Sequence, residues 1–171
     1  MAVDADGVVG CSSSSSSSTK RRKYHVFLSF RGEDTRTGFI DHLYTSLQCK
    51  GLRTFRDEEG LERGQYINPS LLQAIDESRS AIVVLSPGYA SSTWCLDELQ
   101  KILHSKKELG LQIFPIFHSV DPSDVRKQNG SFAEAFKNHE KRFTEDKMKV
   151  QRWRDALEEV ASISGWDSRN K

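Results

Sequence analysis

The sequence predicts an α/β fold in which helices cover both faces of a parallel β-sheet. Two observations predict it: short β-rich segments alternate with segments of helical periodicity, and the strand segments are apolar almost throughout. Continuous apolar strands indicate burial on both faces, and strand–helix alternation indicates parallel pairing. We expect a flavodoxin-like strand order, in which ligands bind beyond the carboxyl ends of the strands.

Four strands are visible from Tyr24 onward. Each is a short run of β-branched, aromatic and aliphatic residues bounded by Gly, Pro, Asp or Ser. A fifth strand is expected in the weakly patterned region around 118–131. The four visible segments are Tyr24–Phe30, Leu52–Phe55, Ala81–Leu85 and Gln112–Phe117.

Five helices are predicted from apolar residues that recur at spacings of three and four. The second helix has Pro69 in its first turn, and the third begins near Thr93. The fourth follows the cap candidate Ser131, and Gly165 is the expected stop of the last. The apolar stripes are Phe39, Leu43 and Leu47; Ile67, Leu71 and Ile75; Leu96, Leu99 and Leu103; Phe132 and Phe136; and Trp153, Leu157 and Val160.

Length and composition exclude several classes of protein. A chain of 171 residues with a formal net charge of +1 suits one domain, with no general attraction to nucleic acid or membrane. No apolar run approaches the roughly 18 residues of a membrane span. Because the three cysteines lack CxxC spacing, we expect reduced thiols and no metal site. These cysteines are Cys11, Cys49 and Cys95.

The first 23 residues differ in composition from the rest. An unbroken serine run, Ser12–Ser18, precedes the basic cluster Lys20–Lys23. Such a segment buries too little apolar surface to offset its ordering entropy, so we expect a disordered tail over 1–23. The folded domain is then expected over 24–166, and 167–171 would begin a linker. The basic cluster fits a nuclear-import patch or a solvated tail edge, and we expect a cytoplasmic or nuclear protein.

The loop after the first strand contains residue types that bind nucleotides. An Arg can grip a phosphate through two hydrogen bonds, and a Phe can stack on a base. The alternative is a polar turn that only caps the next helix. Neither GxGxxG nor GxxxxGK[ST] occurs, which disfavours an ordinary Rossmann or P-loop site. The candidate binding residues are Phe30, Arg31, Gly32 and Arg36.

The loop after the second strand combines two glycines with a cluster of charges. This composition predicts a mobile, projecting element, and a leucine in its middle hints at contact with a partner. The alternative is an ordinary solvated connection. The residues concerned are Asp57, Gly60, Leu61, Arg63 and Gly64.

The loop after the third strand leads to a carboxylate beside an indole. Trp94 and Glu98 are four residues apart on the predicted third helix and therefore share one flank of it. A partly desolvated carboxylate at the ligand-binding edge is a catalytic candidate. The more common role of such a residue is that of a helix glutamate facing water.

A single carboxylate suits a narrow range of chemistry. Hydrolysis of an ordinary glycoside needs two carboxyl groups, one of which protonates the leaving oxygen. Nicotinamide bound to ribose is already a cation and leaves without an acid. One carboxylate can then stabilise the developing oxocarbenium charge, so cleavage of NAD⁺ is chemically feasible.

Two rival functions fit the sequence poorly. A receiver domain needs a phospho-accepting Asp at the end of the third strand, but that strand runs into Leu85-Ser86-Pro87. A Ser–His–Asp hydrolase of the same topology would need a GxSxG elbow, which does not occur.

Ordered blocks of residues resemble the Toll/interleukin-1 receptor (TIR) domains of plant intracellular immune receptors. The most specific block is Tyr89–Leu99, YASSTWCLDEL, and the opening block Tyr24–Arg36 is similar as well. The resemblance extends over about residues 24–166. It implies a flavodoxin-like three-layer sandwich with five parallel strands, the missing strand lying near Ser131.

The resemblance also implies an activity. Family members self-associate and cleave NAD⁺ or NADP⁺, releasing nicotinamide and ADP-ribose or cyclised variants that trigger defence and cell death. They use the dinucleotide as substrate and need no other cofactor. The catalytic glutamate falls on Glu98, with Trp94 beside it. The nucleotide-contacting loop falls on Phe30, Arg31, Gly32 and Arg36, and the loop from Asp57 to Gly64 completes the site across subunits.

The implied partners are other TIR domains, foremost copies of the chain itself. Self-association in the family uses the first helix, often through a Ser-His pair. That pair reads Asp41-His42 here, so this contact is expected to be altered. Gly165 and Trp166 fall where relatives place a second contact between late helices. A non-catalytic TIR–TIR assembly module is the alternative function, and no nucleic-acid or membrane partner is expected.

Overall fold

A computed structural model of the chain describes residues 22–56 and 69–169. The serine-rich tail up to residue 21 and the loop from Asp57 to Gly64 lie outside the described residues. The predictions made for them therefore stay predictions. The same holds for Ile67 in the apolar stripe of the second predicted helix.

Five parallel strands form the central sheet in the order β2-β1-β3-β4-β5. The first crossover runs from the sheet centre to one edge, and later crossovers build the other side, which confirms the flavodoxin-like prediction. The strands are β1 (Tyr24–Ser29), β2 (Thr54–Arg56), β3 (Ser78–Leu85), β4 (Gln112–Phe117) and β5 (Trp166–Asp167).

Helices connect the strands and complete the α/β layers. A π-helical turn, Arg36–Ile40, lies between the first two helices, and a 3₁₀ turn, Tyr89–Ser91, precedes the fourth. The helices in the described ranges are α1 (Gly32–Thr35), α2 (Asp41–Cys49), α3 (Pro69–Asp76), α4 (Thr93–Leu109), α5 (Pro122–Lys127), α6 (Ser131–Arg142) and α7 (Lys147–Ala161).

Helix α4 begins and ends where its sequence signals place it. The Ser92 hydroxyl accepts a hydrogen bond from the Cys95 backbone N–H at 3.1 Å, which satisfies one of the unpaired donors of the first turn. Gly110 follows the helix with φ of +77°, a left-handed conformation that glycine adopts without steric cost. The predicted start at Thr93 is confirmed.

The core lies between the sheet and the helices α4 and α7. Phe27 in β1 and Trp153 in α7 are both fully buried, as are Leu96 and Leu99 in α4. Successive strand residues point to opposite faces. Since the Ser29 side chain contacts α4, the neighbouring Leu28, 1% exposed, points to the opposite face.

The fifth strand is Trp166–Asp167, so its predicted location around 118–131 is wrong. That region instead forms α5, Pro122–Lys127, with Asp121 as its cap: the carboxylate accepts from the Ser123 backbone N–H at 2.8 Å. A strand of two residues is too short to show an alternating pattern. Only its pairing with β4 identifies it as a strand.

Two expected helix-boundary residues have other roles. Ser131 is the first residue of α6, and its hydroxyl donates to the Pro87 carbonyl at 2.8 Å instead of capping the helix. Helix α7 ends at Ala161, so Gly165 is not its stop. Gly165 instead lies against β4, where an added Cβ would meet the Pro115 carbonyl oxygen and lie 3.0 Å from the carbonyl carbon.

Replacing Gly165 with Ala is expected to lower the free energy of unfolding by about 1–3 kcal/mol, because the methyl group displaces the β5 segment from β4. Urea denaturation would measure the loss. Gly38→Ala is the matched control, since nothing lies within 4 Å of a Cβ at that position. Equal stability of the two variants would contradict the steric role of Gly165.

Three further features of the described ranges concern membrane-spanning helices, metal sites and cysteines. No helix in them is both long and apolar enough to cross a membrane. They contain no group of three His, Cys, Asp or Glu side chains placed to hold a metal ion. Cys49 is exposed and Cys95 buried, each as a free thiol.

Candidate functional site

The carboxyl ends of β1 and β3 bring the first and third loops together. The two strands are neighbours in the sheet, with Ser29 opposite Val83. Asp34 joins their loops: its Oδ2 accepts hydrogen bonds at 2.7 Å from the Ser86 hydroxyl and from the Gly88 backbone N–H. Such paired acceptance by a carboxylate holds the two loops in a defined relation.

The Arg31 guanidinium is held between these loops. Its Nη1 lies 3.2 Å from Asp34 Oδ1, and both side chains are about one-quarter exposed or less, at 26% and 20%. The Thr35 hydroxyl donates to the Arg31 carbonyl at 3.0 Å. A Cβ at Gly88 would lie 2.6 Å from Arg31 Nη1, so glycine at that position makes room for the guanidinium.

Glu98 is buried at this edge of the sheet. Its side chain projects from α4 toward the end of β1, where its Oε1 accepts a hydrogen bond from the Ser29 hydroxyl at 2.6 Å. Glu98 is 3% exposed and Ser29 fully buried. This side chain does not face water, so the alternative of a solvent-exposed helix glutamate is wrong. Burial of a carboxylate is costly unless hydrogen bonds compensate it, and the bond from Ser29 is such a bond.

Two other titratable side chains surround this carboxylate. Tyr89 lies 2.8 Å from the Ser29 hydroxyl, and burial, with the nearby Cys95 and Glu98, raises the pKa of Tyr89 well above its ordinary value. Burial and the charge of Glu98 likewise raise the pKa of the Cys95 thiol far above its usual range. Both groups therefore remain protonated near neutral pH, and Cys95 is a poor nucleophile.

Trp94 lies one helical turn before Glu98 and packs, half-buried, against the core. Its indole Nε1 is buried and has no hydrogen-bond partner within residues 22–56 and 69–169. A buried N–H without an acceptor costs free energy, so an unpaired donor beside a candidate site calls for an explanation.

The structure gathers part of the predicted nucleotide-binding loop at the same edge. Phe30 follows β1 directly, and its carbonyl oxygen lies 3.5 Å from the Cys95 sulfur. Gly32 begins α1. Arg36 begins the π-helical turn, and its side chain lies outside the described part of the structure.

The residues predicted for self-association lie elsewhere. Asp41 and His42 are exposed in the first turn of α2, and Asp41 pairs with Arg56 at 2.9 Å. Gly165 and Trp166 lie after α7, and Trp166 begins the edge strand β5. Their contact with a second TIR domain stays a prediction. Trp166 is 63% exposed.

Sequence reasoning missed four residues of the site: Ser29, Asp34, Ser86 and Tyr89. Each supports another side chain through a hydrogen bond between distant parts of the chain. No spacing rule identifies such contacts. Ser29 and Asp34 lie within the block Tyr24–Arg36, and Tyr89 begins the block Tyr89–Leu99. Membership in these blocks is the sequence signal that could have identified them.

Comparison with known proteins places these features in a family. Residues 23–171 match the family model described as TIR domain. The chain is 57% identical over 155 residues to disease resistance protein RPV1 of Vitis rotundifolia, covering 91% of this chain and 11% of that protein. It is 52% identical over 161 residues to TMV resistance protein N of Nicotiana glutinosa, covering 94% and 14%. The chain thus spans roughly a tenth to a seventh of these relatives.

A solved structure is similar as well. The TIR domains in the structure of the activated Roq1 resistosome, which directly recognises the pathogen effector XopQ, match with a TM-score of 0.82 and 54% identity. The match covers 87% of this chain and 90% of that one.

Proposed function

The chain belongs to the TIR domain family, and we propose that it is an immune-signalling module that self-associates and cleaves NAD⁺ or NADP⁺. The products would be nicotinamide and ADP-ribose or a cyclised variant. The observation that carries this proposal is the burial of the Glu98 carboxylate at the carboxyl edge of the sheet, 2.6 Å from Ser29. The disease-resistance role of the relatives supports the signalling part.

The reaction needs only one charged group from the protein. The bond between C1′ of the ribose and the nicotinamide nitrogen breaks, and its electron pair neutralises the pyridinium. The remaining oxocarbenium ion is stabilised by the negative charge of Glu98. Water then adds to C1′ and loses a proton to solvent, or an internal nucleophile of the substrate closes a ring instead.

Two neighbours would bind the rest of the substrate. Arg31, held over Gly88 by Asp34, presents a guanidinium suited to phosphate oxygens. Trp94, half-buried and one helical turn before Glu98, offers an aromatic face. Phe30 and Arg36 would complete the binding loop, and the segment from Asp57 to Gly64 would contribute from a neighbouring subunit.

Self-association has support from exposed side chains. Trp166 is 63% exposed and Phe114 is 37% exposed, and their ring centroids lie 6.5 Å apart at the β5 edge. Large aromatic side chains on a surface are enriched at protein–protein contacts. His42 adds an exposed polar group on α2. The relative in the resistosome structure is an assembly of TIR domains, which favours homotypic contacts.

The test is to incubate the protein over a range of concentrations with NAD⁺ and to quantify nicotinamide and ADP-ribose by chromatography. Because the site is proposed to be completed across subunits, nicotinamide release is expected to rise faster than linearly with protein concentration. A parallel series with NADP⁺ gives the substrate preference. Absence of nicotinamide release at concentrations where self-association is demonstrated would contradict the proposed activity.

The non-catalytic assembly module is the second candidate, favoured by the same exposed aromatic pair. It requires self-association without turnover. His42→Ala would then abolish assembly and signalling, and substitution of Glu98 would change neither.

A further inference from the structure

We propose that Tyr89 and Ser29 form a hydrogen-bonded chain that positions the Glu98 carboxylate and favours its charged form. The catalytic consequence of this inference rests on the proposed function. The hydrogen-bonded chain itself is inferred from distances and burial alone. Ser29, Tyr89 and Glu98 come from three different elements: the end of β1, the 3₁₀ turn and α4. They are 0%, 0% and 3% exposed.

The direction of each hydrogen bond follows from the number of available protons. The Ser29 hydroxyl donates its single proton to Glu98 Oε1 over 2.6 Å, and the charged carboxylate that the proposed reaction requires can only accept. The Ser29 oxygen can then only accept from Tyr89, 2.8 Å away. The alternative acceptor for the phenol, the Cys95 carbonyl, lies farther off at 3.3 Å. Tyr89 therefore donates to Ser29, which donates to Glu98.

The protonation states of the neighbours maintain this direction. Burial raises the pKa of Tyr89, so its phenol retains the proton that the chain requires. The Cys95 thiol also stays protonated, so it places no second negative charge beside Glu98. Each donor polarises the next, and a buried chain is strengthened by the low local dielectric constant.

The turn that carries Tyr89 is anchored from a further helix. His139 in α6 makes a hydrogen bond of 2.7 Å to the Ala90 carbonyl, and burial lowers the pKa of His139, which favours the neutral ring with Nε2–H as donor. The Tyr89 backbone N–H donates to the Ser86 carbonyl at 3.0 Å. The phenol is thus fixed before any substrate binds.

Such a chain matters because Glu98 has three rotatable side-chain bonds and is removed from water. A fixed donor removes the entropic cost of orienting the carboxylate and favours its charged form. The charge can then meet the developing oxocarbenium ion without reorganisation. Ser29 and Tyr89 are positioning residues that act through Glu98.

Two variants of the whole chain test this, read by ¹³C NMR titration of the Glu98 carboxyl and by nicotinamide release. Ser29→Ala removes the donor, and Tyr89→Phe removes only the phenol oxygen. We expect the midpoint pH of the Glu98 carboxyl to rise by about one unit in Ser29→Ala and by less in Tyr89→Phe. We expect kcat to fall roughly 10- to 100-fold in Ser29→Ala and about threefold to tenfold in Tyr89→Phe. KM should be nearly unchanged in both variants.

Ser105→Ala is the matched control, because Ser105 is an equally buried serine of α4 that donates to a carboxylate, Asp76, at 2.8 Å. It should alter neither readout. An unchanged Glu98 midpoint in both site variants would overturn the inference. A wild-type protein without turnover would refute the proposed function, while the midpoint would still decide whether the chain exists. Tyr89→Phe keeps the buried ring and decides the matter alone if Ser29→Ala does not fold.

Discussion

Replacing Glu98 with Gln is expected to lower nicotinamide release by about a thousandfold and to leave the fold and self-association intact. Gln has the same size, and its side-chain oxygen can still accept the hydrogen bond from Ser29 that Glu98 accepts at 2.6 Å. What it lacks is the negative charge that stabilises the oxocarbenium ion, and removal of one such electrostatic group costs on the order of 10²–10³ in rate. Chromatography of the products measures the loss.

The control for this variant is Glu158→Gln, which removes a charge from an exposed position of α7. Light scattering at the concentrations used for turnover establishes that both variants assemble as the wild type does. Retained turnover in Glu98→Gln would remove the proposed mechanism. Loss of turnover together with loss of assembly would instead indicate a structural role for Glu98.

Replacing Trp153 with Ala is expected to lower the free energy of unfolding by about 3–5 kcal/mol, a large part of the stability of a domain this size. Trp153 is fully buried between α4 and α6. Its ring lies 5.1 Å from His139 and 5.5 Å from Phe143, and its Nε1 donates to Asp97 at 3.0 Å. The substitution leaves a cavity and a carboxylate without its donor.

Urea denaturation followed by circular dichroism measures this effect. Trp153→Phe keeps most of the ring packing and loses the hydrogen bond, so about 1–2 kcal/mol is expected. Trp166→Ala is the matched surface control, since that indole is 63% exposed, and should change stability by less than about 0.5 kcal/mol. A similar loss in the two Trp→Ala variants would contradict the assignment of Trp153 to the core.

Most of the fold was predictable from the sequence because its signals are local. The strand Gln112–Phe117 and the start of α4 at Thr93 have the predicted bounds. A run of apolar residues favours a strand, and a capping hydroxyl favours the start of a helix, through interactions with residues nearby in the sequence. Both can therefore be predicted without knowing the rest of the chain. Strand β3 is longer than predicted and begins at Ser78, because pairing with β1 extends it into polar residues.

The fifth strand, predicted around 118–131 but found at Trp166–Asp167, depends on contacts that local patterns do not predict. Trp166–Asp167 is a strand because β4 is there to pair with it, and Gly165 is needed because Pro115 is close. Neither the presence of β4 nor the proximity of Pro115 can be inferred from the residues around 165. A glycine after a helix predicts the end of that helix, whereas Gly165 allows two backbones to approach closely.

The amino-acid pattern alone is enough to predict the α/β alternation, the spacing that puts Trp94 and Glu98 on one helical flank, and the motif blocks that identify the family. The folded structure was needed to show that Glu98 is buried and accepts a hydrogen bond from Ser29, 69 positions earlier, and that Asp34 accepts one from Gly88 in the third loop. The physical reason is that periodicity reports which face a helix buries. What lies opposite that face depends on strand order and on contacts between residues far apart in the chain.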